Sequence, residues 1–201
     1  MTASLVSHRH PHRGDLRAEP APLHSAPAAA PPAAPALRLV PQPEGLLQVH
    51  TASFRGSFSA VYSQALRSAG LGSRVLISQF LKGGVDQGLQ GGLWLCGRLQ
   101  WLRPAMPHCL ADPAAAAEQE AVAAVADLWA FSRECLLEGR VDLMVLDELG
   151  LAVELGYLEA AEVTATLEQR PAQLDVILTG PSIPSALMAM ADQVTQLRRG
   201  L

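Results

Sequence analysis

Two adjacent acids, Asp147 and Glu148, interrupt the most apolar part of the chain, the stretch Val141 to Leu158 that reads VDLMVLDELGLAVELGYL. Five of the seven residues from Val141 to Asp147 are apolar, and a short apolar run bounded by charge reads as a strand buried on both faces. The acids then fall at its carboxyl end. In an open α/β sheet that end borders the ligand crevice, because the loops leaving the strand tips form it. A carboxylate pair there suits a divalent metal ion or the orientation of a nucleotide. The competing reading makes Asp147 the cap of the helical segment that follows and leaves Glu148 solvated, since acids are favoured near a helix start.

The elements that must carry this pair are legible as an alternation of strand and helix. Residues 1–43 (SHRHPHRGDLRAEPAPLHSAPAAAPPAAPALRL and its flanks) are rich in Pro, Ala and His without a periodic apolar face. Such a segment builds no core, and a disordered tail is expected there. It lacks the apolar centre of a secretory signal, and its faint likeness to a transit peptide is interrupted by Asp15 and Glu19. His8, His10 and His12 alternate within it, a pattern that binds transition metals only weakly and more often is plain polar tail.

Order is expected from 44 to 201 as one domain. Leu46 to Thr51 reads as a strand, Ser57 to Ala69 as a helix stopped by the Gly70 and Gly72 turn, and Arg74 to Phe80 as a second strand, parallel to the first by a right-handed crossover. Lys82 to Gly92 is a glycine-rich mobile loop, and Leu93 to Leu102 carries one further short strand. A helix capped by Asp112, with Pro113 at its first position, runs to a stop at Gly139, and its stripe of Val122, Val125, Trp129 and Leu136 faces the sheet. Trp129 is read as core. After the acid-tipped strand follow a helix from Glu159 to Gln169, a strand from Leu174 to Thr179, a loop from Gly180 to Pro184, a short helix from Ser185 to Ala191 and a last strand from Val194 to Leu197. The pattern is that of a mostly parallel sheet covered by helices on both faces.

Composition narrows the functions. Aromatics make up 4% of the 201 residues and the net charge is -4 with scattered basic residues, so neither stacking platforms nor phosphate neutralisation supports a nucleic-acid binder. Cys96, Cys109 and Cys135 form no CxxC pair, which points away from a disulfide scaffold or structural zinc and toward reduced thiols in a cytoplasmic protein. No apolar run approaches the roughly 20 residues that span a bilayer.

The turn between the first strand and helix, HTASFRGSFSA from His50 to Ala60, lies where a phosphate-binding loop would lie. In such a loop glycines let backbone amides curl round phosphates, a lysine reaches the terminal phosphates and the next hydroxyl holds magnesium. Here only Gly56 is kept: Ala52 replaces the first glycine, Ser57 the lysine and Phe58 the hydroxyl. From these residues alone the turn is an ordinary strand-to-helix connection. The glycines from Gly83 to Gly92 do not supply a substitute, because no lysine precedes a hydroxyl there.

From about Gly45 to Arg198 the chain nevertheless resembles the ATP:corrinoid adenosyltransferases. The landmarks are GSFSA with the helix QALRSAGLGSRV after it, QFLKG at Gln79 to Gly83, the stretch VDLMVLDELGLAVELGYL, QRP at Gln169 to Pro171, and DVILTG at Asp175 to Gly180 followed by ALMAMADQVTQLR. The resemblance implies a P-loop NTPase-like α/β fold, ATP and magnesium as ligands, a corrinoid as acceptor of the adenosyl group in cobalamin synthesis, and a homodimer. It places Thr51, Arg55, Gly56, Ser57, Ser59, Gln79 and Lys82 around the nucleotide, with Arg55 where the family has a second lysine, and Asp147 and Glu148 near the metal. The family's Gly-Phe-x-Trp element has no counterpart in RLQWLRPAMPHCLADP. Loss of the P-loop lysine and hydroxyl implies weakened or lost activity. The alternative is a non-catalytic module on the same scaffold, binding a nucleotide, a corrinoid or a protein.

Overall fold

A computed structural model of the protein describes residues 43–56, 58–110 and 118–198. The expected tail, with its three histidines, lies outside the described residues but for Pro43, as do the Asp112 cap, Pro113 and Ser57. In chain order the elements are β1 (Leu47–Ala52), α1 (Ser59–Gly70), β2 (Val75–Gln79), β3 (Leu93–Leu95), β4 (Leu99–Leu102), α2 (Gln119–Leu137), β5 (Leu143–Asp147), α3 (Leu149–Glu154), α4 (Ala160–Glu168), β6 (Asp175–Gly180), α5 (Ser185–Met190) and β7 (Gln193–Leu197). The strands form one sheet in the order β3-β4-β2-β5-β6-β1-β7, parallel except for β3 against β4.

Period-two alternation divides the central strands between two cores. Leu143, Val145, Ile177, Val75 and Ile77 pack with Val61, Ala65 and Ala69 of α1. Met144, Leu146, Val176, Leu178 and Leu76 pack on the other face with α2, α3, α4 and α5. Both faces of β5 are therefore buried, which is why its sequence is continuously apolar rather than alternating. Trp129 is buried in the second core, with its indole N–H donated to Glu162.

Helix ends follow the glycines. At α1 the Gly72 amide reaches Ala69 O and the Ser73 amide reaches Ser68 O, with Gly72 at φ 107°. The same paired bonds end α2 at Gly139, φ 62°, the left-handed closure that glycine makes without steric cost.

One expectation and one competing reading are corrected. Leu93 to Leu102 is a hairpin rather than one strand: Cys96 and Gly97 both have positive φ, 44° and 64°, and the Arg98 amide closes the turn on Leu95 O. The strands pair Leu95 with Leu99, so Cys96, Gly97 and Arg98 form a three-residue hairpin loop that opens on two successive left-handed residues. The second correction concerns the acids. Asp147 does not cap α3, because the residue preceding that helix is Glu148, which caps it with no side-chain bond, and Glu148 is not solvated but 2% exposed.

Candidate functional site at the carboxyl ends of the parallel strands

Strand order decides which polar side chains meet. Gln79 at the end of β2 is in register with Asp147 at the end of β5, and Asp147 is in register with Thr179 near the end of β6. In-register residues on neighbouring strands share a sheet face, here the face covered by α1, so Tyr62 in the first turn of that helix also arrives. Asp147, wholly buried, accepts from Thr179 Oγ1 at 2.6 Å through one oxygen. Through the other it accepts from Tyr62 Oη at 2.7 Å, Lys82 Nζ at 2.7 Å and Gln79 Nε2 at 2.9 Å. A buried carboxylate persists only when its lone pairs are so engaged.

Gln79 is itself held in one orientation, since its oxygen accepts from Trp101 Nε1 at 2.8 Å and Arg103 Nε at 3.0 Å while its amide nitrogen also approaches Tyr62 Oη at 3.0 Å. Tyr62 and Trp101 rings lie 5.1 Å apart, centroid to centroid. Burial first, then the Asp147 carboxylate, raises the Tyr62 phenol well above its ordinary pKa. It therefore acts as a hydrogen-bond donor and not as a proton source at neutral pH.

Glu148 takes a left-handed backbone, φ 61° and ψ 20°, directly after the strand. For a side chain bearing a Cβ this costs about 1–2 kcal/mol, and such strain is concentrated at working turns. Its amide donates to Thr179 O at 2.7 Å. The carboxylate is gripped by Arg55 through two parallel bonds, Nε to Oε1 at 2.8 Å and Nη2 to Oε2 at 2.6 Å. That forked geometry is the strong form of a charged pair, and the hydrogen bond to Glu148 raises the Arg55 pKa further. The third guanidinium nitrogen reaches Leu110 O at 3.4 Å.

Arg55, Gly56, Lys82, Cys109 and Glu148 line a cavity of about 460 Å³ beside this cluster. Phe58 does not fill it: the ring is 3% exposed and packs beneath α1 with Val61, Ala65, Ile77 and Val145. A Cβ at Gly56 would stand 2.7 Å from the Phe54 ring, so a larger residue there would require that ring to shift. A further cavity of about 360 Å³, lined by Trp94, Arg98 and Phe131 among others, borders the amino ends of β2 and β5 at Val75 and Val141, away from the crevice that strand ends form.

Of the residues singled out in the sequence, the fold brings Arg55, Gly56, Gln79, Lys82, Asp147 and Glu148 to one place. Thr51 stands at the tip of β1 in register with Gly180 and makes no bond to the cluster. Ser59 opens α1 and lines a separate cavity of about 180 Å³ with His50, Phe58 and Leu197. Tyr62, Trp101, Arg103 and Thr179 were not foreseen. Thr179 carries the same signal as Asp147, a polar residue ending an apolar strand, and Trp101 comes from the stretch in which no counterpart of the family's aromatic element was expected.

Comparison with known proteins accounts for this arrangement. A family model described as "ATP:corrinoid adenosyltransferase BtuR/CobO/CobP" matches residues 43–200. The corrinoid adenosyltransferase of Pseudomonas aeruginosa is 28% identical over 156 residues, covering 76% of this chain and 74% of that protein. That of Escherichia coli K12 is 29% identical over 162 residues, covering 77% and 76%. The corrinoid adenosyltransferase CobA of Salmonella typhimurium is 29% identical over 160 residues with the same coverage. Since the family model spans the whole sheet and every helix that covers it, this chain belongs to the ATP:corrinoid adenosyltransferase family.

Proposed function

We propose that this chain is a divergent corrinoid adenosyltransferase-like protein that keeps the nucleotide and corrinoid cradle of its family while adenosyl transfer is weakened or lost. Transfer from ATP breaks the bond between the ribose carbon and the triphosphate as reduced cobalt attacks that carbon. Catalysis is then positioning and neutralisation of the leaving triphosphate rather than side-chain proton transfer. Arg55 and Lys82 are the cations at hand, and Gly56 lets the turn approach a phosphate closely. The same reading carries a homodimeric, cytoplasmic protein. Among the described residues no helix is long and apolar enough to cross a membrane.

One observation carries the weakened activity: the cations and acids of the cluster satisfy each other, Arg55 on Glu148 and Lys82 on Asp147. With Ser57 and Phe58 in place of lysine and hydroxyl, two charged contacts to the triphosphate and its metal are missing. Each is worth about 1.5–3 kcal/mol, so together they predict a rate about 10²–10⁴-fold below that of an active relative. The test is an adenosylation assay with ATP, magnesium and a cob(I) corrinoid, followed by the visible spectrum of the product. A rate equal to that of an active relative refutes the proposal.

The self-satisfied cluster also favours a second reading, a binding or regulatory module without catalysis. Calorimetry separates the two, because a module for protein partners gives no heat with either ATP or a reduced corrinoid.

A further inference from the structure

The divalent cation that the family implies does not fit the acids as they stand. Each of the four carboxylate oxygens of Asp147 and Glu148 accepts at least one hydrogen bond from the chain itself, and Asp147 Oδ2 accepts three. Magnesium demands near-octahedral oxygen ligands at about 2.0–2.1 Å. To provide two of them here, a metal would have to share oxygens already bonded to Arg55, Lys82 or Thr179 and stand beside both cationic side chains. Phe58, where a metal-holding hydroxyl would stand, is apolar and turned into the core. Among the described residues no three His, Cys, Asp or Glu side chains gather as a metal site would need.

The cations, by contrast, are poised at the opening. Arg55 and Lys82 side chains are 31% and 28% exposed, and both line the 460 Å³ cavity. Their carboxylate partners are almost wholly buried, at 2% and 0%. The positive side of each pair is thus the more exposed one, and of the two carboxylates only that of Glu148 borders the cavity. Glu148, however, engages the two nitrogens that form the Arg55 fork, leaving only Nη1 with a long contact to a carbonyl.

We infer that Arg55 and Lys82 stand in for the metal, so that this site takes a polyphosphate in its metal-free form, and that Glu148 limits its affinity by holding the Arg55 fork. The inference rests on the proposed nucleotide cradle and specifies the ionic form of what it holds. A guanidinium suits the task, because its fork matches phosphate oxygens two at a time and it never loses its charge. Lys82 keeps its bond to Asp147 and contributes as a point charge. Removing the Glu148 charge then strengthens anion binding, whereas for a metal-holding acid the same change weakens it. The two assignments predict opposite signs.

Calorimetry on the full chain with ATP and with inorganic tripolyphosphate tests this, each in magnesium and in EDTA. Expected for the unaltered protein is weak binding whose Kd changes by no more than about twofold on chelation, a shift smaller than one charged hydrogen bond would give. Glu148→Gln is expected to tighten both probes about tenfold by releasing the fork, and Arg55→Gln to weaken them about tenfold or more. Binding that needs magnesium, or a Glu148→Gln protein that binds more weakly, overturns the inference. So does failure of both proteins to take up either probe. The magnesium comparison needs no variant, so a Glu148→Gln chain that does not fold leaves the test intact. Corrinoid uptake, read from the visible spectrum of the same samples, reports on the parent proposal separately: uptake without metal-free polyphosphate binding keeps the one and discards the other.

Discussion

Replacing Asp147 distinguishes an acid kept for the fold from one kept for a ligand. The carboxylate is wholly buried and accepts four hydrogen bonds. In Asp147→Ala, Lys82 can turn to water from its 28% exposed position, but Thr179 Oγ1, wholly buried, loses this acceptor and Gln79, 3% exposed, keeps only Tyr62 Oη for its amide nitrogen. Two buried polar groups each short of a hydrogen bond cost about 1–3 kcal/mol apiece. Relief from burying a charge offsets part of that, so the net loss is about 2–5 kcal/mol. At about 2–4 °C per kcal/mol for a domain of this size, the melting point falls by about 5–20 °C. Asp147→Asn is milder: its oxygen can serve the three donors on one side while its amide donates to the Thr179 hydroxyl, which can also accept. Only the charge that secures Lys82 is lost, about 1–2 kcal/mol. Thermal unfolding by circular dichroism, checked by urea titration, should rank unaltered above Asn above Ala. A variant that melts at or above the unaltered protein would show that the acid is held against the interests of the fold, and the structural account of the network would be wrong.

Further outcomes follow from the same geometry. Restoring a lysine with Ser57→Lys alone should tighten ATP about tenfold or more by calorimetry, whereas adding Phe58→Thr should lower stability by about 3 kcal/mol, since it removes a ring packed under α1; equal melting points for the single and double variants would contradict the burial. Gly83→Ala should unseat the Lys82 loop, because a Cβ there would meet His108 O at 2.1 Å and Met106 O at 2.4 Å, and both carbonyls belong to backbone that cannot swing aside. A clear fall in melting point and in probe binding is expected, and unchanged values would refute the close approach. His50 should make stability depend on pH: burial lowers its pKa from 6.5, and its Nε2 is buried without a partner, so the fold favours the neutral ring. Its contribution is complete above the ordinary value and is lost as pH falls below about 6.5 toward the lowered folded value, with a slope of at most about 1.4 kcal/mol per pH unit for one proton. Urea midpoints of the unaltered chain and His50→Phe between pH 7.5 and 5.5 check this, and identical slopes would rule it out.

Much of this molecule is written locally. The order of strands and helices, the glycine stops at Gly72 and Gly139, and the acid-tipped β5 could all be read from the chain, because apolar period and turn chemistry act over a few residues. Gln79, Lys82, Asp147 and Glu148 were singled out by position at strand ends and by family likeness. The hairpin at Cys96 and Gly97 escaped notice, since nothing in Cys-Gly announces two left-handed residues in succession.

Which groups pair across the site was not legible in that way. Tyr62 meets Asp147 across 85 residues of chain and Arg55 meets Glu148 across 93, and both meetings depend on β5 lying between β2 and β6. Until that order is set, Arg55 is equally a phosphate ligand and a counter-ion, and Phe58 is equally a plug and a core residue. The sequence by itself determined the parts, the family and the end of the sheet where chemistry belongs. Tertiary structure decided that the acids are buried among the chain's own cations, because only packing brings charges so distant in sequence within hydrogen-bonding reach and shuts water out around them.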